Sequence, residues 1–280
     1  MPDQPRVTII VLSWNQQAVT LACLASLSRI TYVPHSLLLV DNASTDGTPE
    51  AVRRAYPAVD MLSLAENRLF AGGNNAGIRH ALDRGAEMVL LLNNDTEVDP
   101  GFLEPMVARA RAVAHCGMVA PKIYYYGDPR RIWYAGGEVS FWSGTLRHVG
   151  LREIDSGQHD DAGETGYATG CCVLVPREAI SRAGMLDEAY RMYTEDADWS
   201  WRIRAAGYSI QYEPRARVWH KVSVTAGGHL SAYKMRRKFT GNFRFMARHA
   251  RWYHWLTFPW LNVLSNAAAA GRYLLTRVGG

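Results

Sequence analysis

The 280-residue sequence is short of the marks that would assign it quickly. Its four cysteines, Cys23, Cys116, Cys171 and Cys172, form no Cys-x-x-Cys pair and have no metal-type spacing with histidine, which excludes a zinc ribbon or finger. The adjacent Cys171 and Cys172 are poorly placed to bridge each other, so free, buried thiols are expected. Residues 1–6 are few and polar and run directly into an apolar segment. Neither the basic nor the apolar region of a signal peptide is present, and the chain reads as cytoplasmic. Behind the first apolar run, Leu12-Ser13-Trp14-Asn15 contains no glycine, which excludes the dinucleotide-binding fingerprint. No Gly-Lys dipeptide occurs anywhere, which excludes a P-loop.

Acidic residues are absent after Glu213. The first 213 residues carry 19 basic against all 26 acidic side chains, a balance of −7, and the remainder carries +12. An acidic body with a basic tail predicts a tail that meets something anionic. Residues 252–271 contain no Asp, Glu, Lys or Arg at all.

What is present is ordinary for a globular chain: 48% hydrophobic and 20% charged residues suffice for a sizeable core. Residues 7–12 (VTIIVL) form an unbroken, β-branched apolar run, the mark of a parallel strand covered on both faces. Asn15 is a suitable N-cap for the helix signalled by Ala18, Leu21, Leu24 and Leu27. A second strand over 37–40 ends at Asp41, and Thr48-Pro49-Glu50 opens a helix with proline in its first turn. A third strand covers 59–64. The Gly- and Asn-rich stretch 66–77 reads as a loop before a short helix to about Asp83, and a fourth strand follows over 88–92. Asp99-Pro100 then caps a helix reaching about Ala114. Four βα units in succession predict a doubly wound, mostly parallel α/β sheet with helices on both faces. From 117 to about 175 the pattern becomes short, aromatic and glycine-rich. A helix over 195–206, closed by Gly207, and a strand over 208–212 follow.

In such sheets ligands bind beyond the carboxyl ends of the strands, which selects the loops beginning at Ser13, Asp41, Asn67 and Asn93. The sharpest local signal is Asn93-Asn94-Asp95, where an apolar strand delivers a carboxylate flanked by amides. Oxygen ligands in such proximity suit Mg or Mn, which bind through one or two carboxylates and complete their shell with substrate phosphates. Asp95 is the metal-ligand candidate; a turn cap is the competing account.

Six segments in order, VLSWN at 11–15, VDNASTDGT at 40–48, ENRLFAGGNNAGIRHAL at 66–82, LLLNNDTEV at 90–98, TGCCVLVPREAISRAGMLDE at 169–188 and YTEDADWSWRIRAAGY at 193–208, together resemble the family-two inverting glycosyltransferases of the GT-A fold, in the rhamnosyltransferase-like branch. The resemblance covers about 7–250. It implies a Rossmann-like sheet, a nucleotide-diphospho-sugar donor such as dTDP-rhamnose, a divalent metal, a glycan or lipid-linked acceptor, and single-displacement transfer in polysaccharide or glycolipid synthesis. It also implies roles by position. Ser13, Asn15 and Asp41 would meet the nucleotide. Asn67, Gly73 and Asn74 would close over nucleotide and donor sugar. Asn93, Asn94 and Asp95 stand where the family has its DxD-type motif, with an amide in the first acid's place. Glu195-Asp196 matches the catalytic acids, Asp196 as base and Glu195 as its partner. The competing account of these acids is a helix start stabilised by Glu195, Asp196 and Asp198. His220 matches a histidine that completes the metal site or touches the diphosphate, and Gly170 lies in the pocket floor. Trp199 is a candidate to stack on acceptor sugar or to fill the core.

The expected domains are 1–228, with a nucleotide-sugar half over 1–115 and an acceptor and catalytic half over 116–228, and a basic, aromatic helical tail over 229–280. In that tail Arg237, Arg244, Arg248 and Arg251 fall on one helical face, and Phe239, Phe243 and Met246 on another. Trp252, Tyr253, Trp255, Phe258 and Trp260 then supply the side chains favoured at a lipid interface. The tail is expected to hold the protein on the inner face of the cell membrane, or else to pack on its own domain or in a homodimer. A non-catalytic sugar-nucleotide or glycan-binding module is the competing function, but such a module has no need of the acids at 195–196. Nucleic acid is not an expected partner, because six of these segments lie outside the basic tail.

Overall fold

The structure, a computed structural model, describes residues 4–190, 193–222 and 232–264, with side chains described outside 232–238. Its first half is β1 (Val7–Ser13), α1 (Gln17–Leu27), β2 (His35–Asp41), α2 (Thr48–Ala55), β3 (Asp60–Ser63), α3 (Leu69–Asp83) and β4 (Met88–Asn93). β1 pairs in parallel with β2 on one side and β4 on the other, and β3 extends the sheet beyond β2. The chain thus steps outward from β1 and returns to its other flank, which puts a topological switch point between β1 and β4. Strand ends coincide there, with Ser13 opposite Asp41 and Leu12 opposite Asn93.

The second half is β5 (Thr96–Val98), α4 (Leu103–Ala112), β6 (Cys116–Tyr125), β7 (Asp128–Tyr134), β8 (Gly137–Ser140), β9 (Thr145–His148), β10 (Gly163–Glu164), β11 (Cys172–Pro176), α5 (Arg177–Ala183), a 3-10 turn (Glu188–Tyr190), α6 (Glu195–Ala205), β12 (Ser209–His220), α7 (Ala232–His249) and a second 3-10 turn (Trp252–Leu256). The main sheet runs β10-β12-β6-β11-β4-β1-β2-β3, with β5 on β12 and β7 on β6. β11 lies antiparallel between β4 and β6, so the sheet is mixed rather than mostly parallel. A parallel pairing is usually made through a crossover helix. The chain from β6 to β11 contains strands and loops but no helix, and β11 enters in the opposite direction. The Rossmann-like α/β sheet with helices on both faces is as expected, and all four cysteines are buried free thiols.

Several local expectations change. Asn15 does not cap α1: Asn15 and Gln16 both take left-handed conformations, with φ of 58° and 64°. The donor at Gln17 N is met instead by Asp46 of the next loop, at 3.1 Å. Asp99 accepts from Gly101 N in a turn, and α4 starts at Leu103. The Gly- and Asn-rich stretch is not a loop but the body of α3. A methyl on Gly73 would stand 2.5 Å from Leu12 Cδ1, and one on Gly77 would stand 2.7 Å from Ile10 Cγ2. The glycines let α3 lie close on β1, and that packing offsets their poor helix propensity of about 1 kcal/mol each. β12 continues past Pro214 to His220, because register shifts around Glu213 and Arg217 absorb the proline.

The tail helix is not a free surface helix. A small cluster of Tyr167, Tyr190, Ala197 and Phe245, with Phe141 and Trp201 against it, seals α7 onto α6 and the β8–β9 turn. The buried face of α7 is Phe245 and Met246, with His249 a turn further along, while Phe239 and Phe243 are exposed. Arg248, though still partly exposed, pairs with Asp187 and Asp198. Arg237 falls outside the described side chains, and the expected boundary at 228 and the end of the uncharged stretch after 264 fall outside the described residues.

Candidate active site

The carboxyl ends of β2, β1 and β4 bring three of the selected loops to one edge. The first two are zipped together: Asn15 N donates to Ser44 Oγ at 2.7 Å, and Thr45 N donates to Asn15 Oδ1 at 2.9 Å. Asp41, buried at the end of β2, accepts from Ser44 N. Asn42 is the hub of the third loop, donating to Asn67 Oδ1 at 2.9 Å and accepting from Arg68 N at 2.8 Å. Asn67 is thereby fixed beside β2. Asn74, within α3, donates to Phe70 O and keeps a buried Oδ1 with no partner. The close approach that Gly73 permits is to β1.

Thr20, which the sequence did not single out, ties the first loop to the acidic turn. Its Oγ1 meets Ser13 Oγ at 2.9 Å and accepts from Asn94 Nδ2 at 3.0 Å. Asn93 N donates to Cys171 O, so the turn rests on the chain entering β11. Asp95 and His220 are both buried, with His220 Nε2 3.1 Å from Asp95 Oδ1. The pair is out of hydrogen-bond alignment, and Asp95 Oδ1 and His220 Nδ1 are left without a bond. Burial alone would lower the His220 pKa; the acids Cys171 and Asp95 overcome it and push it up to about 10. β12 reaches this place only because it runs the full length to His220, and the Trp133 ring stands edge-on to the imidazole at 4.5 Å.

Residues 169–172 link this turn to the acids of α6. Gly170 N donates to Asp196 Oδ2 at 3.0 Å, and Ala197 N donates to Asp196 Oδ1 at 2.8 Å. Glu195 is buried, and its Oε2 has no partner. Burial, then the neighbouring Asp196 charge, pushes Glu195 up to about 8. Burial also raises Asp196, but its two N–H donors oppose this. Of two acids in one buried site, the one that receives N–H bonds keeps the charge and the other holds the proton. The two N–H bonds thus favour the charge on Asp196, and burial beside that charge favours the proton on Glu195.

A methyl on Gly170 would stand 2.8 Å from Phe70 Cζ and 3.6 Å from Asp196 Cβ. Gly170→Ala is expected to destabilise the protein by about 1–3 kcal/mol, read as a lower denaturant midpoint. An unchanged midpoint would show that Phe70 gives way freely.

Trp199 is corrected. It is 1% exposed and donates its indole N–H to Gly184 O at 2.7 Å, so it fills the core and has no face to offer a sugar. Of the α6 acids, Asp196 is the one that meets a helix-start donor, Ala197 N, while the fully buried Asp198 is occupied by the side chains of Tyr190, Arg202, Arg248 and His249.

Residues 8–184 match the Glycosyl transferase family 2 model. The N-acetylglucosaminyl-diphospho-decaprenol L-rhamnosyltransferase of Mycobacterium tuberculosis is 31% identical over 256 residues, covering 82% of this chain and 80% of that protein. The poly-β-1,6-N-acetyl-D-glucosamine synthase of Staphylococcus aureus is 26% identical over 226 residues, 79% of this chain and 51% of that protein. Among solved structures, a mannosyltransferase from Pyrobaculum calidifontis in complex with GDP-Man and Mn2+ superposes with a TM-score of 0.66 at 22% identity, covering 98% of this chain and 76% of that one. GalNAc-T7 with UDP, GalNAc and Mn2+ superposes with a TM-score of 0.68 at 15% identity, covering 87% of this chain; the chain spans 48% of GalNAc-T7.

Proposed function

The chain belongs to glycosyl transferase family 2, and from that premise we propose that it moves a sugar from a nucleotide-diphospho-sugar to an acceptor hydroxyl with inversion, Asp196 being the base. The observation that carries this reading is the asymmetric pair on α6: Asp196 accepts from the N–H groups of Gly170 and Ala197, and beside it Glu195 is buried with an Oε2 that has no bond. Asp196 takes the proton of the acceptor hydroxyl as that oxygen forms a bond to the anomeric carbon, and the bond from that carbon to the diphosphate oxygen breaks. Glu195, which keeps its proton, is left able to donate to an acceptor oxygen.

A divalent cation fits the other end of the site. Asp95 Oδ1 is buried without a hydrogen bond, and His220 is the second donor beside it. Among the described residues no group of three or more His, Cys, Asp or Glu is arranged to hold a metal. Two protein ligands, with the remaining positions left to diphosphate and water, suit Mg or Mn. Asp95 and His220 would hold the ion, and its proton on imidazole would give way to it. When bound, it supplies neutralisation of charge on the departing diphosphate. Ser13, Asn15 and Asp41 at the zipped loops, with Asn67, Asn74, Asn93 and Asn94 around them, form the nucleotide end.

The Mycobacterium tuberculosis relative supports L-rhamnose as the sugar and a sugar on a lipid diphosphate as the acceptor; dTDP as the carrier is what the sequence resemblance implies. A thermal-shift panel of dTDP-, UDP- and GDP-sugars with and without Mn2+ tests the donor, since a ligand of the native state raises the melting temperature. The reading expects the largest rise with dTDP-rhamnose and Mn2+; a larger rise with another nucleotide reassigns the donor.

An acceptor of this kind puts the enzyme at a membrane face, and the tail suits one. Trp252, Leu256, Trp260, Val263 and Leu264 are between 63% and 77% exposed along one stripe, while Phe258 and Asn262 turn inward to the β8–β9 turn. No helix among the described residues is long and apolar enough to cross a membrane. A peripheral contact on the anionic inner leaflet uses both the apolar stripe and the excess of Arg and Lys. Co-sedimentation with phosphatidylglycerol vesicles is expected, weakened by salt and lost when Trp252 and Trp260 are both changed to serine. Equal recovery in the supernatant with acidic and neutral vesicles would leave the stripe to another partner.

A further inference from the structure

The catalytic acids are launched from an unusual piece of backbone. Tyr193 and Thr194, directly ahead of Glu195, both take left-handed conformations, with φ of 71° and 76°. Neither is glycine, and such conformations persist only where the surrounding structure imposes them. α7 makes that contact. A methyl on Gly241 would stand 2.8 Å from Thr194 Oγ1 and 2.9 Å from Tyr193 O, so a glycine is what lets the helix lie on this turn. The next residue, Asn242, accepts from Thr194 Oγ1 at 3.1 Å and donates to Gly144 O at 3.3 Å.

Two turns further along, α7 reaches the other side of the acids. Asp198 is fully buried, and its Oδ1 accepts from His249 Nε2 at 2.8 Å, from Tyr190 OH at 3.1 Å and from Arg248 Nη1 at 3.3 Å. Its Oδ2 accepts from Arg202 Nε at 2.8 Å. Burial alone would raise the Asp198 pKa, yet the His249 and Arg202 bonds hold it below the ordinary carboxylate range. A buried charge satisfied from three elements fixes the helix that carries it, since breaking one contact leaves the charge underpaired.

We propose that α7 is a positioning element for the reaction: it grips the chain at Thr194 through Gly241 and Asn242 and at Asp198 through His249 and Arg248, and so sets where Glu195 and Asp196 stand. None of these α7 residues touches the acids. The inference rests on Asp196 as the base, and it makes the tail part of the catalytic arrangement as well as a surface for lipid.

The test uses the full chain and dTDP-rhamnose, or the donor that the panel identifies. His249→Ala and Asn242→Ala are each expected to lower kcat at least tenfold, with donor KM and the calorimetric Kd for the matching nucleoside diphosphate with Mn2+ changed less than threefold. His249→Gln, which restores an N–H donor to Asp198, is expected to recover most of the loss. A purely structural role would instead lower the number of binding-competent sites per chain and leave kcat per site unchanged, and that outcome overturns the proposal. So does a kcat within twofold of wild type in both alanine variants. Asn242→Ala removes no charge and carries the test where His249→Ala does not fold. If the α7 variants are fully active while Asp196→Asn is inactive, the grip fails and the base stands. If Asp196→Asn is itself fully active, the base assignment fails and the inference falls with it.

Discussion

Asp196→Asn is expected to bind the nucleotide-sugar within a few-fold of wild type and to lose about two to four orders of magnitude in turnover, the usual contribution of a positioned general base. The amide is nearly isosteric and can still accept from Gly170 N, one of the two donors that orient the native carboxylate. It cannot take the acceptor's proton. The loss should therefore fall on kcat, the pattern of an interaction made only in the transition state. Glu195→Gln should lose less, because burial and the neighbouring Asp196 charge push Glu195 towards its neutral form, which glutamine resembles. Steady-state kinetics on the two variants separate the roles: the reverse ranking would make Glu195 the base.

Asp95→Ala is expected to remove Mn2+-dependent binding of the nucleoside diphosphate. Its carboxylate is the one acidic group facing His220 in the turn after β4, and among the described residues no cluster of three or more His, Cys, Asp or Glu is arranged to hold a metal. Loss of a group that only orients a metal ligand weakens metal affinity about 10–100-fold, so loss of the anionic ligand itself should exceed about a hundredfold. Titration calorimetry with and without Mn2+ reads this directly. Mn2+-dependent affinity unchanged in Asp95→Ala would move the ion elsewhere.

The parallel half of the fold was legible because β1, β2 and β4 carry apolar runs that end at a polar residue, and Ser13, Asp41 and Asn93 do come to one edge. The antiparallel insertion of β11 was not, since period and apolarity carry no strand direction. The glycine-rich body of α3 read as a loop because propensity is local, whereas its cause is the distance between α3 and β1. Pro214 likewise hid the continuation of β12, without which His220 would not meet Asp95.

In the site, the acids and the turn after β4 were visible as motifs, while their connections were not. Thr20 and Gly170 work through bonds to residues far along the chain, and no spacing rule signals them. Trp199 was left between two accounts because an aromatic beside an acidic pair looks the same in sequence whether it faces a ligand or the core, and its burial selects the core. The basic tail was legible as a surface element only in part: its charge and its exposed tryptophans are there, but Phe245 and His249 turn inward onto α6, and Arg248 reaches from the surface to Asp198. Arg248 at the end of α7 signalled nothing but positive charge, and it meets Asp187 and Asp198 because the fold places two acids under that turn.

The central claim is a single displacement at the anomeric carbon with Asp196 as base. Proton NMR of the reaction mixture during turnover of dTDP-rhamnose, or of the donor that the thermal-shift panel selects, reports it through the anomeric resonance and its coupling in the first product formed. The account predicts a product whose anomeric configuration is opposite to that of the donor, appearing from the earliest time points and absent in Asp196→Asn. A product with the donor's configuration would contradict it and require a mechanism other than one direct displacement.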